Sequence, residues 1–285
     1  MQAAMTQRAI AAAMAVAASL DVAADDSVML NDSNRLVIRL LPCDIVARVA
    51  PATHFASAAL EVELVTRLAH TDSPVAGLDA RIEPRVFLND GFEISMWTYF
   101  EPAPARVLPP IEYAQVLQHL HAALRPIDVP APHVMDRVGA TQRDVADHDV
   151  TPDLTDRDRA LLADTLRELG RSIVDRRPPE QLLHGEPHPW NVLDTTGGPL
   201  FIDFENAGRG PVEYDLAWAP RAIAQRYPGA DQDLVDECRG VVLAIVAAHR
   251  WSRDDEHPSG RESGVAFLDV LRNGPPWPAL DDVVW

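Results

Sequence analysis

Leu183-His184-Gly185-Glu186-Pro187-His188-Pro189-Trp190-Asn191-Val192-Leu193 is followed, after a short turn, by Phe201-Ile202-Asp203-Phe204-Glu205. This stretch offers a carboxylate at Glu186, a carboxamide five residues later at Asn191, and an acidic pair, Asp203 and Glu205, that begins twelve residues beyond that. The Gly197-Gly198 turn between the two apolar runs would fold them side by side and bring Asn191 and Asp203 into one neighbourhood. A few hard oxygen donors with room for phosphate oxygens suit Mg²⁺ better than zinc. A carboxylate near such a metal can orient an attacking hydroxyl. His184 and His188 bracket Glu186, but Pro187 and Pro189 forbid the regular helix that a zinc protease uses, and the glutamate does not directly follow the first histidine.

Working outward, residues 6–20 have the pattern of a helix. Short β-like runs follow at 28–30, 35–41 and 45–49, then a helical pattern over 56–69. Residues 82–87 and 93–100 read as two further strands turning at Asn89-Asp90-Gly91. A proline-rich stretch at 102–110 marks a change of regime. Helical periods dominate beyond it, over 112–124, 156–174, 216–225, 231–251 and 261–271, with Asp215 placed to cap the third of these. Residues 126–152 read as a Pro- and Asp-rich loop region. The expected class is α+β: a small antiparallel-sheet lobe with one inserted helix over 1–100, and a larger, mainly helical lobe over 101–285.

Composition narrows the chemistry. The 285 residues contain 25 arginines and no lysine, against 43 acids, for a net charge of −18. Without lysine there is no Schiff-base chemistry and no phosphate loop ending in Gly-Lys-Ser/Thr. Any side-chain cation on a phosphate must be a guanidinium fork. The acidic surplus argues against nonspecific binding to nucleic acid or anionic membranes. Cys43 and Cys238 form neither a disulfide framework nor a zinc pattern. The apolar run at 9–20 is twelve residues, mostly alanine, too short to span a bilayer. It could be read as a signal peptide, but a helix explains the same residues. The expectation is a cytoplasmic protein, monomer or homodimer, with no nucleic-acid or membrane partner.

The linked motifs resemble the aminoglycoside phosphotransferase and choline kinase-like family, small-molecule kinases with a protein-kinase-like two-lobe fold. The family's catalytic loop, His-Gly-Asp-x-x-x-x-Asn, is similar to His184 through Asn191, and its metal strand to Ile202-Asp203-Phe204-Glu205. Gly210-Pro211-Val212-Glu213-Tyr214-Asp215-Leu216-Ala217 resembles the family's usual continuation. The resemblance implies ATP and Mg²⁺ as cofactors. It implies Glu186 as the base or orienting carboxylate for the acceptor hydroxyl, and Asn191 and Asp203 as metal ligands, with Glu205 as a further metal contact. It places Arg48 where the family has its phosphate-binding lysine, paired with Glu61 on the inserted helix. Residues 31–34, including Ser33 and Asn34, fall where a loop would cover the phosphates, and Met96 to Tyr99, including Trp97 and Tyr99, where a hinge would meet adenine. His184 is expected to organise the loop, while His119 and His121 show no ligand pattern. The implied activity is transfer of the γ-phosphate to a hydroxyl of a small molecule. Residues 101–285 hold 18 arginines against 31 acids, which is compatible with a cationic acceptor such as an aminoglycoside, an amino sugar or a choline-like amine. Glu186 stands where the family has aspartate, Arg48 where it has lysine, and the phosphate loop has no glycine. A nucleotide-binding pseudokinase is therefore the alternative reading.

Overall fold

Period-two alternation builds the first sheet. In the computed structural model, which describes residues 3–33, 35–104, 107–255 and 257–283, helix α1 (Ala3–Ser19) precedes strands β1 (Ala24–Asp32), β2 (Leu36–Pro42) and β3 (Ile45–Pro51). Helix α2 (Phe55–Leu68) and strands β4 (Phe87–Asn89) and β5 (Phe92–Thr98) follow. The strands pair antiparallel in the order β1-β2-β3-β5-β4. Leu36, Ile38, Leu40, Ile45, Ala47, Val49, Phe92, Ile94 and Met96 point to one face, where Ala9, Ala12, Ala13, Val16 and Ala17 of α1 pack on them. The alanines recur at helical spacing and their small side chains let the helix sit close to the sheet. The other face carries Arg48, whose register partners are Val37 and Ser95, and beside Ser95 stand Glu93 and Trp97. One face of the sheet is thus an apolar core and the other a polar surface.

The chain divides into two units. The first runs to Val107 and also takes in residues 126–129 and 191–206; the second comprises the rest. The segment 191–206, expected in the second lobe, packs with the first unit as a hairpin of Val192–Thr195 and Gly198–Phe201. The second unit contains α3 (Pro110–Leu124), α4 (Val134–Ala146), α5 (Asp156–Arg176), α6 (Val212–Trp218), α7 (Arg221–Ala224), α8 (Gln232–Arg250) and α9 (Gly260–Asn273). A short strand, Gln181–Leu183, pairs with Gly208–Gly210. Its core joins Val138 and Val145 of α4, Leu162 and Leu166 of α5, Val241 and Ile245 of α8, and Phe267 and Leu271 of α9. This is an α+β, two-lobe fold. Among the described residues, no helix is long and apolar enough to cross a membrane.

Three local expectations are corrected. The strand expected over 82–87 is reduced to Phe87–Asn89, because Pro84 has no N–H to give a ladder. The 126–152 loop contains helix α4, started by a capping box in which His133 accepts from the Met135 N–H and Asp136 accepts from the His133 N–H. The helix expected over 216–225 is split into α6 and α7, with Pro220 beginning the second piece.

Candidate functional site

In the first unit the polar sheet face is organised around Arg48. Its Nη1 pairs with Glu61 Oε1, and its Nη2 lies 2.5 Å from Asp203 Oδ1. Glu61, on α2, is fully buried, and the same Oε1 accepts the backbone N–H of Phe204 at 2.9 Å. Burial alone would lower the Arg48 pKa, but Glu61 and Asp203 outweigh it and hold the guanidinium above the ordinary arginine value. Asp203 has φ of +70°, a left-handed conformation that costs a non-glycine residue about 1–3 kcal/mol. The flanking bonds from Arg48 and to the Phe204 N–H fix that conformation. At the open end of the hairpin the buried Asn191 accepts the Ile202 N–H at 3.0 Å through its carbonyl, which sets Asn191 one rung from Asp203.

A second arginine, not foreseen from sequence, sits on the same face. Arg35 precedes β2 with the same parity as Val37 and is almost wholly buried. Its Nε donates to Glu205 Oε2 at 2.8 Å, while its Nη1 lies 3.6 Å from Glu61 and 3.9 Å from Glu93. Burial raises the Glu93 pKa, with Arg35 opposing and Glu205 and Glu61 adding to the rise. Burial, then the Asp203 charge, likewise raises that of Glu205. A glutamate inside the apolar run Phe92-Glu93-Ile94 was the available signal.

The other residues expected at the nucleotide are engaged as follows. Asn31 Nδ2 donates to Ser33 Oγ at 3.2 Å; Asn34 lies outside the described residues. The Trp97 indole is buried and donates to Ser95 Oγ at 2.8 Å, with the Arg48 guanidinium 5.4 Å from its ring centroid. Tyr99 carries Arg39 over its ring at 3.7 Å and donates to Glu101 at 3.2 Å. Within the expected hinge, the Met96 carbonyl accepts from Asp79 and the Thr98 N–H donates to Gly77, which commits both groups within the unit. Among the described residues, no group of three or more His, Cys, Asp or Glu side chains converges as a metal cage. Asp203, Glu205 and Asn191 carry hard oxygen atoms of the type that a divalent cation such as Mg²⁺ takes as ligands.

In the second unit the loop bearing Glu186 is tied down from beneath. Asp215 Oδ2 and Oδ1 accept the N–H groups of His184 and Gly185, each at 2.9 Å. Gly185 takes φ of +96°, which a side chain would resist. Oδ2 also lies 2.9 Å from His121 Nε2, and His121 Nδ1 lies 2.8 Å from the Tyr227 hydroxyl. A carboxylate only accepts, so Nε2 carries the proton. Burial, then Asp215, pushes the Tyr227 pKa up to about 12. Tyr113 Oη donates to the Pro187 carbonyl at 2.9 Å. Asp215 is therefore no helix cap: α6 begins after Pro211 without a side-chain cap, and Asp215 fastens the loop. His121, set aside in the sequence, is its buried support. Its position four residues beyond Leu117 on the buried side of α3 was the missed signal. His184 is fully buried, and the Glu186 N–H reaches its Nδ1 at 3.4 Å.

Glu186 itself pairs with an arginine that the sequence did not point to. Arg137 Nη2 lies 2.5 Å from Glu186 Oε1, with its guanidinium 5.3 Å from the Trp218 ring centroid. Burial opposes the Arg137 charge, but Glu186 raises its pKa above the ordinary arginine value. Arg137 lies on α4, the helix that proline and aspartate content had disguised as loop.

A two-lobe α+β fold with a buried Arg–Glu–Asp bridge beside a β-hairpin, and a separately fastened loop glutamate, defines a kinase-like phosphotransferase. The chain belongs to the phosphotransferase enzyme family, which matches residues 23–258. No curated protein matches it. Similar solved structures include amicoumacin kinase in complex with AMP-PNP, Ca²⁺ and Ami, at 12% identity and a TM-score of 0.68 over 88% of this chain and 90% of that one. The GDP complex of wild-type aminoglycoside 2'-phosphotransferase-IIIa is 16% identical, with a TM-score of 0.66 over 94% and 98%. A putative fructosamine-3-kinase from Haemophilus somnus is 11% identical, with a TM-score of 0.65 over 93% and 97%.

Two outcomes follow from these networks. Asp215→Ala removes the acceptor for two buried N–H groups and for His121, and is expected to cost at least about 3 kcal/mol in urea unfolding. Glu93→Gln tests the raised carboxyl. A folded pKa above the unfolded one stabilises below the unfolded value, and that stability is lost as pH rises. The Glu93→Gln protein should therefore gain unfolding free energy relative to wild type as pH rises from about 4 to about 7. A difference independent of pH would contradict this.

Proposed function

We propose that the protein is an ATP- and Mg²⁺-dependent O-phosphotransferase acting on a hydroxyl of a small cationic molecule, in the class of an aminoglycoside, an amino sugar or a choline-like amine. The observation that carries the reading is the Arg48 fork, which pairs Glu61 with one nitrogen and Asp203 with another. That places a permanent cation beside two accessible oxygen donors, Asp203 and Glu205, whose side chains are 31% and 22% exposed. Asp203, Glu205 and Asn191 would hold the metal ion. When bound, Mg²⁺ would neutralise negative charge that develops on the phosphates during transfer. Arg48 contributes a second, fixed cation toward the phosphates.

In the second unit Glu186 orients the acceptor hydroxyl. Phosphoryl transfer through a loose transition state asks chiefly for position, and a carboxylate held by Arg137 supplies it. The glutamate is one methylene longer than the aspartate of the family motif, and Arg137 fixes the end of that longer side chain. Similar solved structures include an aminoglycoside phosphotransferase and a putative fructosamine-3-kinase, which supports a small amine- or sugar-type acceptor.

The test is ADP release from Mg-ATP across aminoglycosides, amino sugars and choline-like amines, paired with thermal unfolding in Mg-ATP. Turnover with one acceptor class is expected. Stabilisation by Mg-ATP without turnover on any acceptor would favour the pseudokinase reading, and neither response would remove both. Shortening the side chain in Glu186→Asp withdraws the carboxylate about 1 Å from Arg137. It should lower kcat by about 10- to 100-fold with nucleotide affinity unchanged. A gain in kcat would show that Arg137 does not position Glu186.

A further inference from the structure

The polar sheet face of the first unit holds more carboxylate than it can pair. Two arginines, Arg35 and Arg48, face four acids: Glu61, Glu93, Asp203 and Glu205. The bonding among them is uneven. Arg35 spends Nε on Glu205 at 2.8 Å and Nη2 on Ser57 Oγ at 3.3 Å. Its Nη1 has two carboxylates near it, Glu61 Oε2 at 3.6 Å and Glu93 Oε1 at 3.9 Å, both beyond hydrogen-bond length. Glu93 is only 2% exposed, and among the described residues neither of its carboxylate oxygens has a hydrogen-bond partner. A buried carboxylate left in that condition is costly: the nearer guanidinium, Arg35, is about 1 Å too far away to hydrogen-bond, and Arg48 adds only a weaker attraction. The fork therefore has one partner engaged and a second in waiting.

We propose that Arg35 is an internal counter-ion for the metal site: it holds Glu205 before the metal–nucleotide is bound and moves to Glu93 when Glu205 is taken as an oxygen donor, thereby setting metal affinity. This rests on the reading of Asp203 and Glu205 as metal-binding carboxylates. Arg35 competes with a divalent cation for Glu205, so its charge weakens metal binding. Glu93 receives the displaced guanidinium, so its charge favours metal binding. Arg35 is on this account a positioning residue that never needs to touch substrate. The small displacement it requires stays within a buried face already built of alternative ion pairs.

The two residues therefore have opposite expected effects. Mg²⁺ is titrated calorimetrically into the full-length protein saturated with AMP-PNP. Arg35→Gln is expected to bind Mg²⁺ about tenfold more tightly than wild type, and Glu93→Gln about tenfold more weakly. Glu63→Gln, which removes an exposed carboxylate from the same helix as Glu61, should leave the affinity unchanged and so controls for charge at a distance. Glu93→Gln gives up no hydrogen bond and should fold, so it carries the test even where loss of Arg35 unfolds the unit. Weaker binding in Arg35→Gln would mean that Arg35 supports Glu205 rather than competing for it. Unchanged affinity in Glu93→Gln would mean that Glu93 does not receive the displaced guanidinium. Either result overturns the inference while leaving the phosphotransferase reading intact. Failure of the wild type to bind Mg²⁺ with AMP-PNP would overturn the metal-site reading and this inference together.

Discussion

The guanidinium of Arg48 joins three pieces of chain: strand β3, helix α2 through Glu61, and, from 155 positions away, the segment after the hairpin through Asp203. A lysine ammonium is a point charge, whereas the planar fork presents separate nitrogens to two carboxylates at once. That difference matters in a chain without lysine, because the fork does more than replace a charge. It fixes the direction from which each carboxylate approaches. Glu61 then uses the same oxygen to hold the Phe204 N–H, so the backbone after Asp203 is located through the arginine. Buried ion pairs often contribute little net stability once desolvation is counted. What this one fixes is the left-handed turn at Asp203, which the local sequence would not choose.

The legible parts of the molecule were those in which chemistry is written along a continuous stretch. His184 through Asn191 and Ile202 through Glu205 carry their spacing in the chain, and the alternation in β2 and β3 is a local pattern. The illegible parts depend on partners far away. Arg137 meets Glu186 from 49 positions earlier, and Arg35 meets Glu205 across 170. No single-sequence pattern selects such a pair from 25 arginines. Helix α4 was hidden because proline and aspartate read as loop residues, although Val134, Val138 and Val145 lie on one helical face behind a capping box. Asp215 was misread because helix capping is the commonest role of an aspartate before an apolar run. The buried His121 that gives it another role is 94 positions away.

The two units handle their carboxylates differently. In the second unit Glu186 has one arginine close to it, a balanced pair with Trp218 behind the guanidinium. A balanced pair of this kind holds the Glu186 carboxylate in place. In the first unit four acids, Glu61, Glu93, Asp203 and Glu205, share Arg35 and Arg48, so negative charge is in surplus there.

Burial, with the neighbouring acids adding to it, raises the pKa values of Glu93 and Glu205 on this face. On the proposed reading, the balance of arginines and acids on this face would set metal affinity, and Arg35 is better placed than Arg48 to change it. Arg48 is bound to the fold through Glu61, whereas Arg35 has its hydrogen-bonded carboxylate at Glu205 and a second carboxylate waiting beside it.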